Sequence, residues 1–131
     1  MQIACQVVVK VLAWHPTDPN LLAAGSNDKL LKLWDIRAYK SPIRVERTKS
    51  GSLNLAWSPS GHLLGAGNRD NVLQFFDGKD LKPREPNFYD SETEINEFQW
   101  DVTGTVLFVT TLTGQIYILD GAQPCRSKGG K

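Results

Sequence analysis

The stretch VLAWHPTDPNLLAAGSNDKLLKLWD, at residues 11–35, is followed by two stretches that repeat its pattern. They are NLAWSPSGHLLGAGNRDNVLQFFD at residues 54–77 and EFQWDVTGTVLFVTTLTGQIYILD at residues 97–120. The first tryptophans of the three stretches lie 43 residues apart, at Trp14, Trp57 and Trp100. The aspartates that end them lie 42 and 43 residues apart, at Asp35, Asp77 and Asp120. A constant period of this length predicts a repeat architecture.

Each unit consists of short apolar runs of about five residues, separated by Asn, Asp, Gly and Ser, which is the pattern of β-strands joined by hairpin turns. Pro16 and Pro59 end the first run of their units, because proline cannot donate a ladder hydrogen bond. No window has the sustained spacing of an amphipathic helix. More polar segments at residues 41–49 and around Phe88 can supply a fourth strand. We therefore expect an all-β chain of about three four-stranded antiparallel units.

Composition predicts one small soluble domain covering residues 1–131. The chain is 40% hydrophobic and its net charge is +1, so no overall field directs it to nucleic acid or to a membrane. It has two cysteines, too few for the disulfide framework of a small secreted domain, which favours an intracellular location. No apolar run is long enough for a signal peptide or a transmembrane helix. We expect no membrane association.

Four short strands per unit of 40–45 residues, ending in Trp-Asp, resemble the blades of the WD-repeat β-propeller family. Within that family, the turn GNRD at residues 67–70, the ending FFD at 75–77 and the opening EINE at 94–97 resemble the WD-repeat subunits of THO complexes. The resemblance implies a non-catalytic protein–protein interaction scaffold of the THO/TREX complex, in messenger RNA processing and nuclear export. It also implies a nuclear location and partners that are protein subunits of a multi-subunit complex, with any RNA contact indirect.

The repeats are expected at about residues 1–49, 50–92 and 93–120, with a flexible tail at 121–131. Propellers close with about four to eight blades, so three blades make an incomplete ring. We therefore expect the chain to be a fragment, a truncated isoform or an incomplete gene product. An open array of blades leaves two apolar faces exposed to water, which predicts marginal stability or association.

Nine residues are expected to have structural roles, as first tryptophans, turn aspartates or strand endings. They are Trp14, Asp28, Trp34, Asp35, Trp57, Asp70, Asp77, Trp100 and Asp120. The tryptophans occupy strand positions and are expected to be buried. The units depart from the family pattern because Thr113 replaces the turn aspartate of the third unit, and the Gly-His that often precedes the first Trp is missing. Each blade should therefore depend on apolar packing more than on a buried polar network.

Catalytic and cofactor motifs are weak in this sequence. His15 and His62 lie in turns, and no CxxC or HxxxH spacing indicates a metal site. Gly65 and Gly67 lie between two strands, whereas a phosphate-binding glycine motif opens a helix. The acidic residues around Glu92 are expected in a solvated loop and not in an acid–base pair. We expect no enzyme activity, cofactor, metal or small-molecule substrate.

The expected function is binding, through the turns and blade junctions that crowd one rim of a propeller. The candidate partner-binding residues are Asn27, Lys29, Arg37, Arg47, Lys49, Arg69, Asn71, Tyr89 and Glu92. A basic stretch at residues 29–49 and an acidic one at 85–101 indicate either solvated faces or a bipolar docking surface. Two alternatives stay open. One is a generic WD-repeat adaptor of a ubiquitin-ligase or chromatin complex, and the other is an RNA-binding module that uses the basic stretch and Tyr39.

Overall fold

The computed structural model describes residues 2–4, 7–68, 72–90 and 94–124, and in them the chain forms three antiparallel sheets. Blade 1 consists of β1 (Val9–Trp14), β2 (Leu21–Ser26), β3 (Leu30–Asp35) and β4 (Arg44–Arg47). Blade 2 consists of β5 (Ser52–Trp57), β6 (Leu63–Asn68), β7 (Val72–Asp77) and β8 (Pro83–Asp90). Blade 3 consists of β9 (Ile95–Trp100), β10 (Val106–Thr111) and β11 (Ile116–Asp120). A short 3-10 helix, Ile36–Ala38, follows β3.

The all-β prediction and the strand positions in each repeat are confirmed. Strands within each blade pair in chain order, so every blade is an antiparallel meander. Polar fourth strands form in blades 1 and 2, in the two segments where the sequence predicts them. Blade 3 differs because it has three strands within the described residues. The proposed repeat boundaries and the flexible tail stay predictions. No helix in the described segments is long and apolar enough to cross a membrane.

Strand register gives each blade two apolar faces. In blade 1, Ala23 pairs with Leu33 and Leu22 pairs with Trp34, and successive residues of a strand point to opposite faces. Ala23 and Leu33 therefore face blade 2, where they pack in one cluster with Leu64 and other buried residues. A second cluster joins blades 2 and 3. Blade 2 is therefore covered by blade 1 on one face and by blade 3 on the other.

Gly65 and Gly67 allow blade 3 to approach blade 2 closely. A Cβ on Gly65 would lie 2.8 Å from Cε2 of Phe98, and one on Gly67 would lie 3.1 Å from Cε1 of the same ring. Both distances are shorter than ordinary carbon contacts, so the Phe98 ring occupies space that a side chain on β6 would need. The glycine pair therefore serves packing between blades.

The prediction that all four tryptophans are buried is wrong for Trp14, which is 56% exposed. Trp34 and Trp100 are buried, and Trp57 is half-buried. Trp57 packs against the blade 1–blade 2 cluster, and its Nε1–H donates to the Ala13 carbonyl oxygen at 3.1 Å. Trp14 occupies the equivalent position on the outer face of blade 1, where the described residues form no preceding blade. The first tryptophan is repeated in every blade, but it is buried only where a preceding blade packs against it.

The aspartates that end the third strand of each blade also hold the turn that follows. Oδ1 of Asp35 accepts the Arg37 N–H at 2.9 Å, and Oδ1 of Asp77 accepts the Lys79 N–H at 2.9 Å. Oδ1 of Asp120 accepts the Ala122 N–H at 2.9 Å. A carboxylate that accepts backbone N–H groups two residues ahead stabilises a chain reversal. The same polar contact is thus built three times.

Candidate protein interface

The turn between β2 and β3 and the connection between β4 and β5 lie together at one end of blade 1. The Thr48 N–H donates to the Lys29 carbonyl oxygen at 2.8 Å, which joins the two segments. We call the exposed side chains at this end the basic rim: Asn27, Lys29, Arg47 and Lys49. Three of these four side chains are cationic.

The backbone at Lys29 is held in a conformation that residues other than glycine rarely adopt. Lys29 has φ of +65°, in the left-handed region. Oδ1 of Asp28 accepts the Leu30 N–H at 3.1 Å and also accepts the Ser26 hydroxyl. Asp28 therefore forms hydrogen bonds with both sides of the turn, and the Lys29 side chain projects from a backbone that these bonds hold in place.

The connection that carries Lys49 is tied to blade 2. The Lys49 N–H donates to Oε1 of Gln74 at 2.8 Å, and Gln74 lies buried in the middle of β7. The Thr48 hydroxyl donates to the Ser50 carbonyl oxygen at 2.7 Å inside the same connection. Gln74 and Thr48 are not among the residues that the sequence predicts for this site. A polar residue inside the apolar run VLQFFD was the available signal, because buried polar side chains need a hydrogen-bond partner.

The structure separates Arg37 from the basic rim. Arg37 lies in the 3-10 helix at the other end of blade 1, where the Ile36 N–H donates to the Asn20 carbonyl oxygen at 2.9 Å. Its guanidinium forms a salt bridge of 2.7 Å with Asp35, and hydrogen bonds from Arg37 lower the pKa of Asp35 from 3.8 to about 2. The basic stretch 29–49 is therefore divided between two ends of the blade.

Most of the remaining residues that the sequence predicts as structural or partner-binding lie outside the part of the chain that the structure describes. Arg69, Asp70, Asn71 and Glu92 lie outside the described residues. Tyr89 lies in β8, where its backbone pairs with Leu73.

Blade 3 presents acidic and neutral polar groups at the end that corresponds to the basic rim. The Leu112 N–H donates to the Glu94 carbonyl oxygen at 3.1 Å, which joins the β10–β11 turn to the start of the blade. Thr113, at the position of Asp28, contacts Thr111 through their hydroxyls at 3.1 Å, and Glu94 is exposed. The described part of this rim thus changes from basic at blade 1 toward acidic at blade 3.

A cleft of about 340 Å³ at the opposite end, between blades 1 and 2, brings His15 and His62 to one site. Nδ1 of His15 accepts the N–H groups of Thr17 at 3.1 Å and Asp18 at 2.9 Å, and its ring packs edge-on against Trp57. Burial lowers the pKa of His15, with the Asp18 charge opposing. A neutral imidazole whose Nδ1 already accepts two hydrogen bonds serves to hold the turn. No group of three or more His, Cys, Asp or Glu that could hold a metal occurs in the described part of the chain.

Comparisons with known proteins place these observations in a family. A sequence profile described as "WD domain, G-beta repeat" matches residues 5–35. The chain is 33% identical over 111 residues to "THO complex subunit 3" of Arabidopsis thaliana, covering 85% of this chain and 34% of that protein. It is 30% identical over 108 residues to "WD repeat-containing protein AAC3" of Dictyostelium discoideum, covering 82% of this chain and 22% of that protein. The chain thus spans about a third or less of these relatives.

A solved structure described as "Crystal structure of RRP9 WD40 repeats" superposes with a TM-score of 0.80 at 14% identity. The match covers 92% of this chain and 38% of that one. At this identity the likeness establishes the fold alone.

Proposed function

The chain is a WD40-repeat protein, and we propose that it is a non-catalytic scaffold that binds protein partners through the basic rim. The observation that carries the proposal is the combination of a braced backbone with exposed cationic side chains at one end of blade 1. Loops held on a rigid scaffold are common docking sites, and charge on them steers and orients a partner. A fold alone assigns no function, so the rim has to be tested directly.

We further propose that the partners are subunits of a THO/TREX-type complex acting in messenger RNA processing and export in the nucleus. The support is the 33% identity to a THO complex subunit 3 across 85% of this chain. The second relative, named only as a WD repeat-containing protein, has 30% identity and supports the alternative of a generic WD-repeat adaptor.

The experiment is affinity purification of the tagged chain from native nuclear extract, with partners identified by mass spectrometry. THO subunits should be recovered with the unchanged chain. Lys29→Glu combined with Lys49→Glu should reduce recovery about tenfold, which corresponds to about 1.4 kcal/mol. Lys40→Glu is the matched control, because Lys40 is an exposed cation of blade 1 that precedes β4 and lies outside the rim.

Two outcomes would contradict parts of the proposal. Equal recovery by the rim double variant and by Lys40→Glu would remove the basic rim as the docking surface. Recovery of other partners without any THO subunit would remove the complex assignment and favour the generic adaptor.

A further inference from the structure

The connection between β3 and β4 contains a sequence motif that the proposed scaffold role does not involve. Serine precedes proline twice in the chain, at Ser41-Pro42 and at Ser58-Pro59. Kinases of the proline-directed class phosphorylate a serine that is followed by proline, and several of them prefer a cation three residues after that serine. Arg44 has this place after Ser41, and no cation has it after Ser58. The pattern therefore distinguishes the two serines.

The structure makes one of these serines accessible and buries the other. Ser41 is exposed in the connection that follows the 3-10 helix, and its hydroxyl forms no hydrogen bond with any residue that the structure describes. Ser58 is 5% exposed, and its Oγ accepts the Leu63 N–H at 3.0 Å. A kinase has to hold the acceptor hydroxyl in line with the γ-phosphate of ATP, so a buried hydroxyl already bonded to the backbone is a poor acceptor.

The backbone around Ser41 also suits the extended form in which a kinase binds its substrate. A residue before proline is biased away from the helical region and toward extended conformations, because the proline ring crowds it. The 3-10 helix ends at Ala38 and β4 begins at Arg44. The Ile43 N–H donates to the Leu33 carbonyl oxygen at 2.8 Å, which anchors the connection two residues after Ser41.

The exposure of this connection does not result from the uncovered outer face of blade 1. Blades 1 and 2 meet mainly through β1, β2 and β5, whereas β4 is the far edge strand of its sheet. The corresponding connection of blade 2, between β7 and β8, has a blade on each side, and its Lys79 and Lys82 side chains are exposed. A preceding blade would therefore leave Ser41 accessible.

Cationic side chains lie beside the Ser41 hydroxyl. Five consecutive residues line a cleft of about 270 Å³, and none of them is acidic: Arg37, Ala38, Tyr39, Lys40 and Ser41. Arg37 donates to Asp35 from Nε at 3.0 Å and from Nη2 at 2.7 Å. A guanidinium has five N–H donors, so Arg37 retains donors for a second anion. Lys40 is exposed at the same cleft.

We propose that Ser41 is a phosphorylation site for a proline-directed kinase, and that the resulting phosphate binds Lys40 and Arg37 at this cleft. The γ-phosphoryl group of ATP moves to Oγ of Ser41. The bond from its phosphorus to the ADP oxygen breaks, a bond to Oγ forms, and the hydroxyl proton passes to the catalytic base of the kinase. The product carries about −1.5 to −2 charges at neutral pH, which favours charge-assisted hydrogen bonds from both cations.

This inference does not depend on the proposed function. Ser41 follows the 3-10 helix, at the end of blade 1 opposite the basic rim. A failure of the basic rim to bind partners would therefore leave the phosphorylation site untouched, and the converse also holds.

The test is phosphorylation of the folded 131-residue chain by a purified cyclin-dependent kinase with ATP, followed by fragmentation mass spectrometry to locate the phosphate. One phosphoryl group per chain is expected, at Ser41. Ser41→Ala and Pro42→Ala should each remove it. Arg44→Ala should lower the initial rate about tenfold. Lys82→Ala, which removes an exposed cation from the corresponding connection of blade 2, should leave the rate unchanged.

Phosphorus NMR titration tests the contacts of the phosphate with the cleft. The second pKa of a phosphoserine is about 6, and neighbouring cations lower it because they favour the dianion. The second pKa should therefore be lower in the folded phosphorylated chain than in the same chain denatured in urea. Lys40→Ala combined with Arg37→Ala should raise it toward the denatured value, whereas Lys82→Ala should not. Circular dichroism verifies that each variant folds.

Three results would overturn the proposal. The first is the absence of phosphate from a chain that circular dichroism shows to be folded. The second is phosphate at Ser58, alone or together with Ser41, because accessibility would then not select the site. The third is a second pKa that is equal in the folded and denatured chains, which would show that the phosphate does not bind the cleft.

Discussion

Replacing Gly65 with alanine tests the packing between blades 2 and 3. The added Cβ would lie 2.8 Å from Cε2 of Phe98 and 3.3 Å from Cε1 of Phe75, both in aromatic rings of the buried cluster. Both rings are almost completely enclosed, so neither can move without disturbing its neighbours. We expect Gly65→Ala to destabilise the chain.

The magnitude follows from two opposing effects. Overpacking a filled core costs about 1–3 kcal/mol. Restricting the unfolded backbone by a Gly→Ala change returns about 0.4–1 kcal/mol. The net loss in the free energy of unfolding is therefore about 0.5–2 kcal/mol. Urea denaturation followed by circular dichroism measures it.

A compensating change makes the test specific. Between blades 1 and 2 the equivalent positions hold Ala23, which is buried in the cluster shared by these blades, and Leu55, which packs against that cluster. Gly65→Ala combined with Phe98→Leu recreates that pair between blades 2 and 3. The double variant should lose less stability than the sum of the single variants, by about 1 kcal/mol. A neutral Gly65→Ala, or strictly additive losses, would refute the close approach of Phe98 to β6.

Three further predictions concern stability. Asp35 has a pKa lowered from 3.8 to about 2, so the stability it contributes is present above pH 3.8 and is lost as the pH falls toward 2; melting temperatures across this range should fall less steeply in Asp35→Asn. Trp57→Phe removes the hydrogen bond to Ala13 and should cost about 1 kcal/mol in urea denaturation, whereas Trp14→Phe, at the exposed equivalent position, should cost little; equal losses would contradict the assignment. Asp120→Ala should cost about 1 kcal/mol by removing the acceptor of the following turn, and an unchanged thermal transition would show that this turn contributes nothing.

Local patterns predicted most of the fold. Strand β7 is typical: a short apolar run after a polar turn, ending at Asp77, was sufficient to place it because the length of the run and the turn chemistry are properties of neighbouring residues. The same reasoning located the polar strands β4 and β8. The constant period then showed that the units are equivalent.

The burial of individual side chains and the make-up of the basic rim were less predictable, because both depend on contacts between residues that are far apart in the sequence. The surroundings of Trp14 and Trp100 differ completely although their sequence patterns agree, since only Trp100 has a preceding blade to pack on. The contact of Lys49 with Gln74 spans 25 residues and has no local signal beyond a polar residue in an apolar strand. Arg37 follows Lys29 closely in sequence, yet a six-residue strand carries it to the other end of the blade.

The division of the basic stretch also bears on RNA binding. Lys29 and Lys49 lie at one end of blade 1, while Arg37 and Lys40 lie beyond β3 toward the other end, so no single described end of the blade gathers all of these charges. RNA binding driven by phosphate contacts would weaken steeply with salt. The affinity of a protein partner for the basic rim should depend less on salt, because charges at the rim of an interface act mainly on the rate and orientation of association.

The most direct measurement of the central claim is partner recovery from native extract before and after nuclease digestion. If the chain is a protein-binding scaffold, its partners should be retained after digestion, and Lys29→Glu with Lys49→Glu should reduce their recovery while Lys40→Glu does not. Loss of all partners after digestion, together with tight RNA binding that falls steeply with salt, would contradict the claim.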